Sequence, residues 1–318
     1  QCGYLPNVFH GFHHAVDVLQ MLTLLGPLMP WEALLSPAQR FALAVAALAL
    51  DIGHPGFSNV FLVEACDELA VRYNDVSPLE SMHSARLFQI VSVPGTNVFA
   101  NLSRAQYAEV RKVCIDSILG TDNQRHYQLL SELQVTYEQE SELFDLVMDA
   151  YNQSPREYPP SELVDFYCRT DARKLIRSFF LHFVDTTNTM KPWRVCKYWS
   201  ELLFEEFFSQ GDTERAMGLP VQPLNDRGKV NKPQVQLAFT EFFVAPLASV
   251  VSKWMPPLRL CEDQCQENLD RWSRRWLDTQ PSHVEQDRVA DRISRMRSGT
   301  TMTLRMTSHV LSLRSSGL

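Results

Sequence analysis

Between Phe41 and Leu50, ten consecutive residues carry no polar side chain, and the run ends on Asp51. Ser36-Pro37 ahead of it reads as an N-cap followed by proline at the first helical position, which opens a helix from Ala38 to Leu50. A helix that is apolar on almost every side must be surrounded by other elements. This one is expected at the centre of a helical core, with Asp51 at its floor. An unpaired buried carboxylate is costly, so Asp51 should be paired or should bind a cation.

The rest of the chain agrees with a helical core. Val16, Leu19, Leu22 and Leu25 follow the helical period. Ser103 to Leu119, Leu129 to Tyr151, Glu162 to Phe183, Pro192 to Gln210, Gln234 to Met255 and Glu262 to Leu277 read as further helices. Three prolines make Asn152 to Ser161 a loop. Gly211 to Pro233 reads as a long loop bordering a functional site. Only 12 of 318 residues are glycine, which leaves few left-handed turn positions and argues against hairpin-rich β folds. The expectation is an all-α, compact multi-helix bundle. One domain spans residues 1–277, and 278–318 form an extension. Its last part, Ser298 to Leu318, has arginines and no acid and reads as a mobile tail.

The net charge of −7 argues against nucleic-acid or anionic-membrane surfaces, which need clustered positive charge. Seven cysteines at irregular spacing, with no C-x-x-C, fit neither a disulfide framework nor a zinc-thiolate site, and point to a reduced, intracellular and cytoplasmic setting. The longest apolar run is too short to span a bilayer, so no transmembrane segment is expected. The chain starts at Gln1-Cys2 without methionine and reads as a fragment. A homodimer is left open.

Three segments carry candidate chemistry. His10 and His14 stand four apart, so on a helix they would share a face, one binding metal and the other free for proton transfer. Asp51 ends the apolar run. His182-Phe183-Val184-Asp185 again puts an acid at the end of an apolar helix. Two buried acids with a histidine pair suit a hydrolytic centre holding zinc, magnesium or manganese. An acid bridging two such metals would hold a hydroxide for attack on phosphorus.

Phe9-His10-Gly11-Phe12-His13-His14-Ala15-Val16-Asp17-Val18 resembles the HNxxHAxDV signature of the class I cyclic nucleotide phosphodiesterases. The resemblance continues through Asp51 to Asn59, Tyr73-Asn74-Asp75 with Leu79-Glu80, and Ile118 to Asp122. It resumes at His182 to Asn188 with Lys191-Pro192, at Glu205 to Phe208 with Gln210 to Asp212, and at Gln236 with Phe239. These motifs keep the family's order from about Tyr4 to Trp276, without the helices that the family carries upstream.

The resemblance implies an HD-type helical fold and hydrolysis of cAMP or cGMP to the 5′-nucleotide. It implies His10 as the general acid and Glu80 as the carboxylate holding it. His14, Asp51 and Asp185 match ligands of a tightly held zinc, with Asp51 bridging to magnesium or manganese. His54 and Thr121 match groups that reach the second metal through water. Gln236, Phe239, Leu203 and Asn188 match substrate contacts, with the purine clamped between Phe239 and Leu203 and hydrogen-bonded by Gln236. Leu50 stands where the family has a metal-binding histidine, Gly53 where it has a second acid, and Gly11 where it has asparagine. A catalytically impaired homologue acting as a nucleotide-binding or regulatory module is the competing reading.

Overall fold

The computed structural model describes residues 3–297, and among them there are helices and turns but no strand. The helices run α1 Phe12–Leu25, α2 Trp31–Leu34, α3 Pro37–Ala47, α4 Asn59–Glu64, α5 Glu68–Tyr73, α6 Pro78–Val91 and α7 Arg104–Leu119. They continue as α8 His126–Gln139, α9 Ser141–Gln153, α10 Ser161–Cys168, α11 Thr170–Asp185, α12 Trp193–Ala216 and α13 Lys232–Phe239. After a π-helical turn, Thr240–Val244, come α14 Ala245–Trp254, α15 Arg259–Leu277 and α16 His283–Arg297. The chain forms two compact units: residues 3–187 with 247–261, and residues 188–246 with 262–297.

In the first unit the middle position belongs to α7, which packs against α3, α6 and α11. The apolar run is not central. α3 buries Ala42, Leu43, Ala46 and Ala47, while Phe41 and Leu48 stay exposed. The reason is steric: the alanine face of α3 lets α7 come close enough for the Cys114 thiol to reach the Ala42 carbonyl at 3.4 Å. Gly120 closes α7 where a Cβ would strike the Ser178 carbonyl of α11. α3 starts as read, with Ser36 and Gln39 forming a capping box. It stops at Ala47, so Asp51 lies in the turn beyond and not at the helix end. In α1 the inward face is His14, Ala15, Val18, Leu22 and Leu25, and Val16 is exposed.

Two long helical readings break. Leu129 to Tyr151 divides at Glu140, and Glu162 to Phe183 divides at Arg169, whose ψ of 144° is extended. Trp254 is fully buried among Phe144, Phe166, Tyr167 and Phe179. Its indole N–H donates to the Leu133 carbonyl at 3.2 Å, and Tyr167 donates to the Trp254 carbonyl at 2.7 Å.

In the second unit α12 continues six residues past Gln210, so the expected loop shortens. Gly211 lies inside α12, where a Cβ would collide with the Asn225 carbonyl, so this glycine serves close approach and not a turn. Asn231 caps α13 by accepting from the Gln234 N–H at 3.1 Å. Residues 278–297 of the expected extension include α16, whose Val289 and Ile293 are buried with Leu237, Leu269, Trp272 and Trp276. The expected mobile tail, Ser298 to Leu318, lies outside the described residues. The run Lys232–Trp254 is long and apolar enough to cross a membrane by length and composition, yet 61% of its apolar window is buried within the protein. A core helix has that same composition.

Candidate active site

Sequence-distant residues of the first unit meet at one place. His10 precedes α1 in a bend, so it does not share a helix with His14 as expected. Gly11 is the N-cap of α1. His14 is buried in the first turns of α1, Asp51 in the turn after α3, and Asp185 is the last residue of α11. His14 Nε2 lies 2.9 Å from Asp185 Oδ1 and 3.7 Å from Asp51 Oδ2. Donor atoms that share one metal at about 2.1 Å stand roughly 3–3.4 Å apart, so His14 and Asp185 are close to that spacing and Asp51 Oδ2 stands slightly outside it. Burial pushes the Asp185 carboxyl up, but the His14 hydrogen bond and charge outweigh it and hold the group below the ordinary carboxylate range.

Phe9 and three imidazoles line the approach. Phe9 lies edge-on to His10 at 4.7 Å between ring centroids. His10 stacks on His54 at 4.1 Å, and His54 stacks on His83 at 5.7 Å. Burial and then the neighbouring His10 and His83 push His54 well below the ordinary histidine range, so the ring is neutral. His54 Nδ1 accepts from the Gly56 N–H at 3.0 Å. The proton of the neutral ring therefore sits on Nε2, which makes that atom a donor, suited to a water and not to direct metal coordination. Burial also lowers His83 to about 3, against the opposing hydrogen bond to the Ile52 carbonyl at 3.0 Å.

Glu80 lies in the first turn of α6 and accepts from Asn59 Nδ2 at 2.9 and 3.3 Å. The other end of the Asn59 amide accepts from the Leu79 N–H at 3.0 Å, which ties α4 to α6. Burial, and after it the Asp122 charge, raises Glu80 to about 7. Asp122 in turn accepts from the Ser77 hydroxyl at 2.5 Å. Thr121 is buried and its hydroxyl donates to the Ile118 carbonyl at 2.8 Å.

The departures have structural outcomes. Leu50 is buried beside Asp51. Gly53 has a φ of 78°, and the Arg86 guanidinium occupies the space that a Cβ there would need. The sequence reading gave no part to Asn7. Its amide donates to the carbonyls of His10 at 3.1 Å and His54 at 2.7 Å, joining the two stacked histidines through their backbones. No periodicity or spacing marks such a residue.

The other expected contacts belong to the second unit. Gln236 and Phe239 are on α13, Leu203 on α12, and Asn188 in the turn before α12. Gln236 is buried, and Phe239, Leu203 and Asn188 are half-buried. Asn268 Nδ2 donates to the carbonyls of Thr189 and Lys191 at 2.8 and 2.7 Å and so fixes the backbone after Asn188.

An all-α fold that brings a histidine and two acids together from distant helices and turns is the architecture of HD-type metal-dependent phosphohydrolases. The chain belongs to the 3′,5′-cyclic nucleotide phosphodiesterase family, whose profile matches residues 9–265. It is 33% identical over 254 residues to the human high affinity cGMP-specific 3′,5′-cyclic phosphodiesterase 9A, covering 80% of this chain and 39% of that one. It is 31% identical over 277 residues to the probable 3′,5′-cyclic-AMP phosphodiesterase pde-4 of Caenorhabditis elegans, covering 86% and 38%. The chain thus spans about two fifths of the length of these relatives. Its fold matches the phosphodiesterase domain of the Salpingoeca rosetta rhodopsin phosphodiesterase with a TM-score of 0.74 and 30% identity, over 88% of this chain and 78% of that one.

Proposed function

We propose that this chain hydrolyses the 3′,5′-cyclic phosphodiester of a purine nucleotide to the 5′-nucleotide. The observation that carries this is that His14 Nε2 stands 2.9 Å from an Asp185 oxygen and 3.7 Å from an Asp51 oxygen, the three residues coming from separate parts of the chain. These residues would hold a first divalent ion, zinc by the family resemblance, with Asp51 bridging to a second, magnesium or manganese. Bound there, such ions supply Lewis acidity that polarises the phosphoryl oxygen and acidifies a water. His54, through Nε2–H, and Thr121 would orient water toward a second ion.

In the reaction, water adds to phosphorus and gives up one proton to solvent, the P–O3′ bond breaks, and His10 gives its proton to the leaving O3′ and is reprotonated from solvent. Stacking on His54 and the Asn7 bonds fix the His10 ring and backbone. The Glu80 carboxylate acts on His10 by orientation. In the second unit, Gln236 would hydrogen-bond the purine, with Phe239 and Leu203 as its apolar walls and Asn188 as a further contact. An amide presents either donor or acceptor, so it suits cAMP and cGMP alike. The described cysteines are all free, which supports a reduced, cytoplasmic setting. Incubation of the protein with each cyclic nucleotide and Mg²⁺ or Mn²⁺ tests the proposal: it expects the 5′-nucleotide as product, and no product from either overturns it.

A further inference from the structure

We propose that α16 sets the affinity and base preference of the nucleotide-binding segment by clamping the π-helical turn through Arg292. This rests on the assignment of Gln236 and Phe239 to the base. The turn Thr240–Val244 follows Phe239 directly. π-helical turns are rare, and they occur mostly as local insertions at functional sites. Arg292 Nε donates to both carboxylate oxygens of Glu241, at 2.9 and 3.2 Å. The same guanidinium lies 5.6 Å from the Phe242 ring centroid. The Glu241 side chain is 7% exposed, so its charge needs a cationic partner to remain folded inward.

A second grip acts one helical turn away. Val289 and Ile293 flank Arg292 on α16 and bury against Leu237, the neighbour of Gln236. Phe243 stacks on Phe239 at 5.0 Å and 20°, so a shift of the turn is passed to the aromatic ring assigned to the purine. One short helix therefore holds the base segment on both sides of Phe239. That helix lies wholly beyond residue 265, where the family match ends. The clamp lies in the second unit, and the histidine and carboxylates assigned to the metal lie in the first. Arg292 is a positioning residue.

The experiment measures kcat and KM of the full chain and of Arg292→Ala for cAMP and for cGMP, with equilibrium dialysis of each cyclic nucleotide under chelation as a binding readout. The expected result is a rise in KM and in dialysis Kd of about fivefold or more, unequal for the two bases, with kcat falling less. Arg292→Lys should restore part of the affinity. Glu241→Gln, which keeps the shape of the side chain, should give the same change, and the double variant should be no worse than either single one. An unchanged KM and an unchanged cAMP-to-cGMP ratio in both single variants overturn the inference. So does a loss of melting temperature and kcat at constant KM, which marks a purely structural contact. A wild-type chain that neither binds nor hydrolyses either nucleotide overturns instead the assignment of the base residues.

Discussion

His14 Nε2 and Asp185 Oδ1 lie 2.9 Å apart although 171 residues separate them in the chain. A buried imidazole facing two carboxylates is a poor way to gain stability alone, because desolvation offsets much of the attraction. It is an economical way to hold a cation. Asp185→Ala and His14→Ala should each lower bound metal, measured by elemental analysis of the purified protein, and abolish turnover. Full metal content in both variants would remove these residues from the ligand set.

His10→Ala should reduce kcat by about 10²- to 10⁴-fold, the range for loss of a general acid, with a smaller change in KM. Steady-state kinetics on the variant decides it. A change confined to KM would make His10 a binding residue.

Glu80 gives a pH-dependent prediction. Its folded value of about 7 lies above the ordinary 4.5, so the protonated form is the one that the fold favours. Its contribution is fully present below about pH 4.5 and is lost as pH rises through 7. Glu80→Gln, which mimics the protonated form, should therefore be more stable than the wild type at pH 8 and melt higher, by about 3 kcal/mol at most. The two should converge near pH 4.5. Equal melting curves at pH 8 would contradict the raised value.

Leu50 is buried immediately before Asp51, where the family resemblance places a metal-binding histidine. Leu50→His should add an imidazole to a set of one nitrogen and two carboxylates and raise zinc affinity most. Without metal the buried polar ring should cost about 1–3 kcal/mol, and zinc should restore the loss. Thermal melts with zinc and with chelator, beside metal analysis, measure this. No gain in zinc binding would mean that Leu50 does not face the ligand set.

Much of this architecture could be read in the sequence because helices have a local code. The Ser36 and Ser103 capping boxes, the proline starts and the apolar period mark where helices begin. Which helix lies at the centre is a tertiary property. The alanine-rich α3 lost that place to α7, because small alanines make a surface for packing and not a core by themselves. Likewise Gly211 looks like a loop residue until Asn225 is seen against it. The breaks at Glu140 and Arg169 have no glycine or proline to announce them.

For the site, the acids at Asp51 and Asp185 were visible as charges at the ends of apolar runs, and motif order identified the rest. The parts that escaped act through the backbone. Asn7 is a single amide whose bond to the His54 carbonyl reaches across 47 positions, and nothing in a linear pattern separates it from a surface asparagine; Asn59 stands inside a motif, but its bonds to Glu80 and Leu79 are tertiary. His10 and His14 do not share a helix face: one lies in a bend, the other in the first turn of α1.

The most direct test of the account is a product assay on the purified chain with cAMP and cGMP, run with added Mn²⁺ or Mg²⁺, then after exhaustive chelation, then with metal restored. The account predicts 5′-AMP or 5′-GMP in the first case, none in the second and recovery in the third. A 5′-nucleotide formed at an undiminished rate in chelator would contradict it.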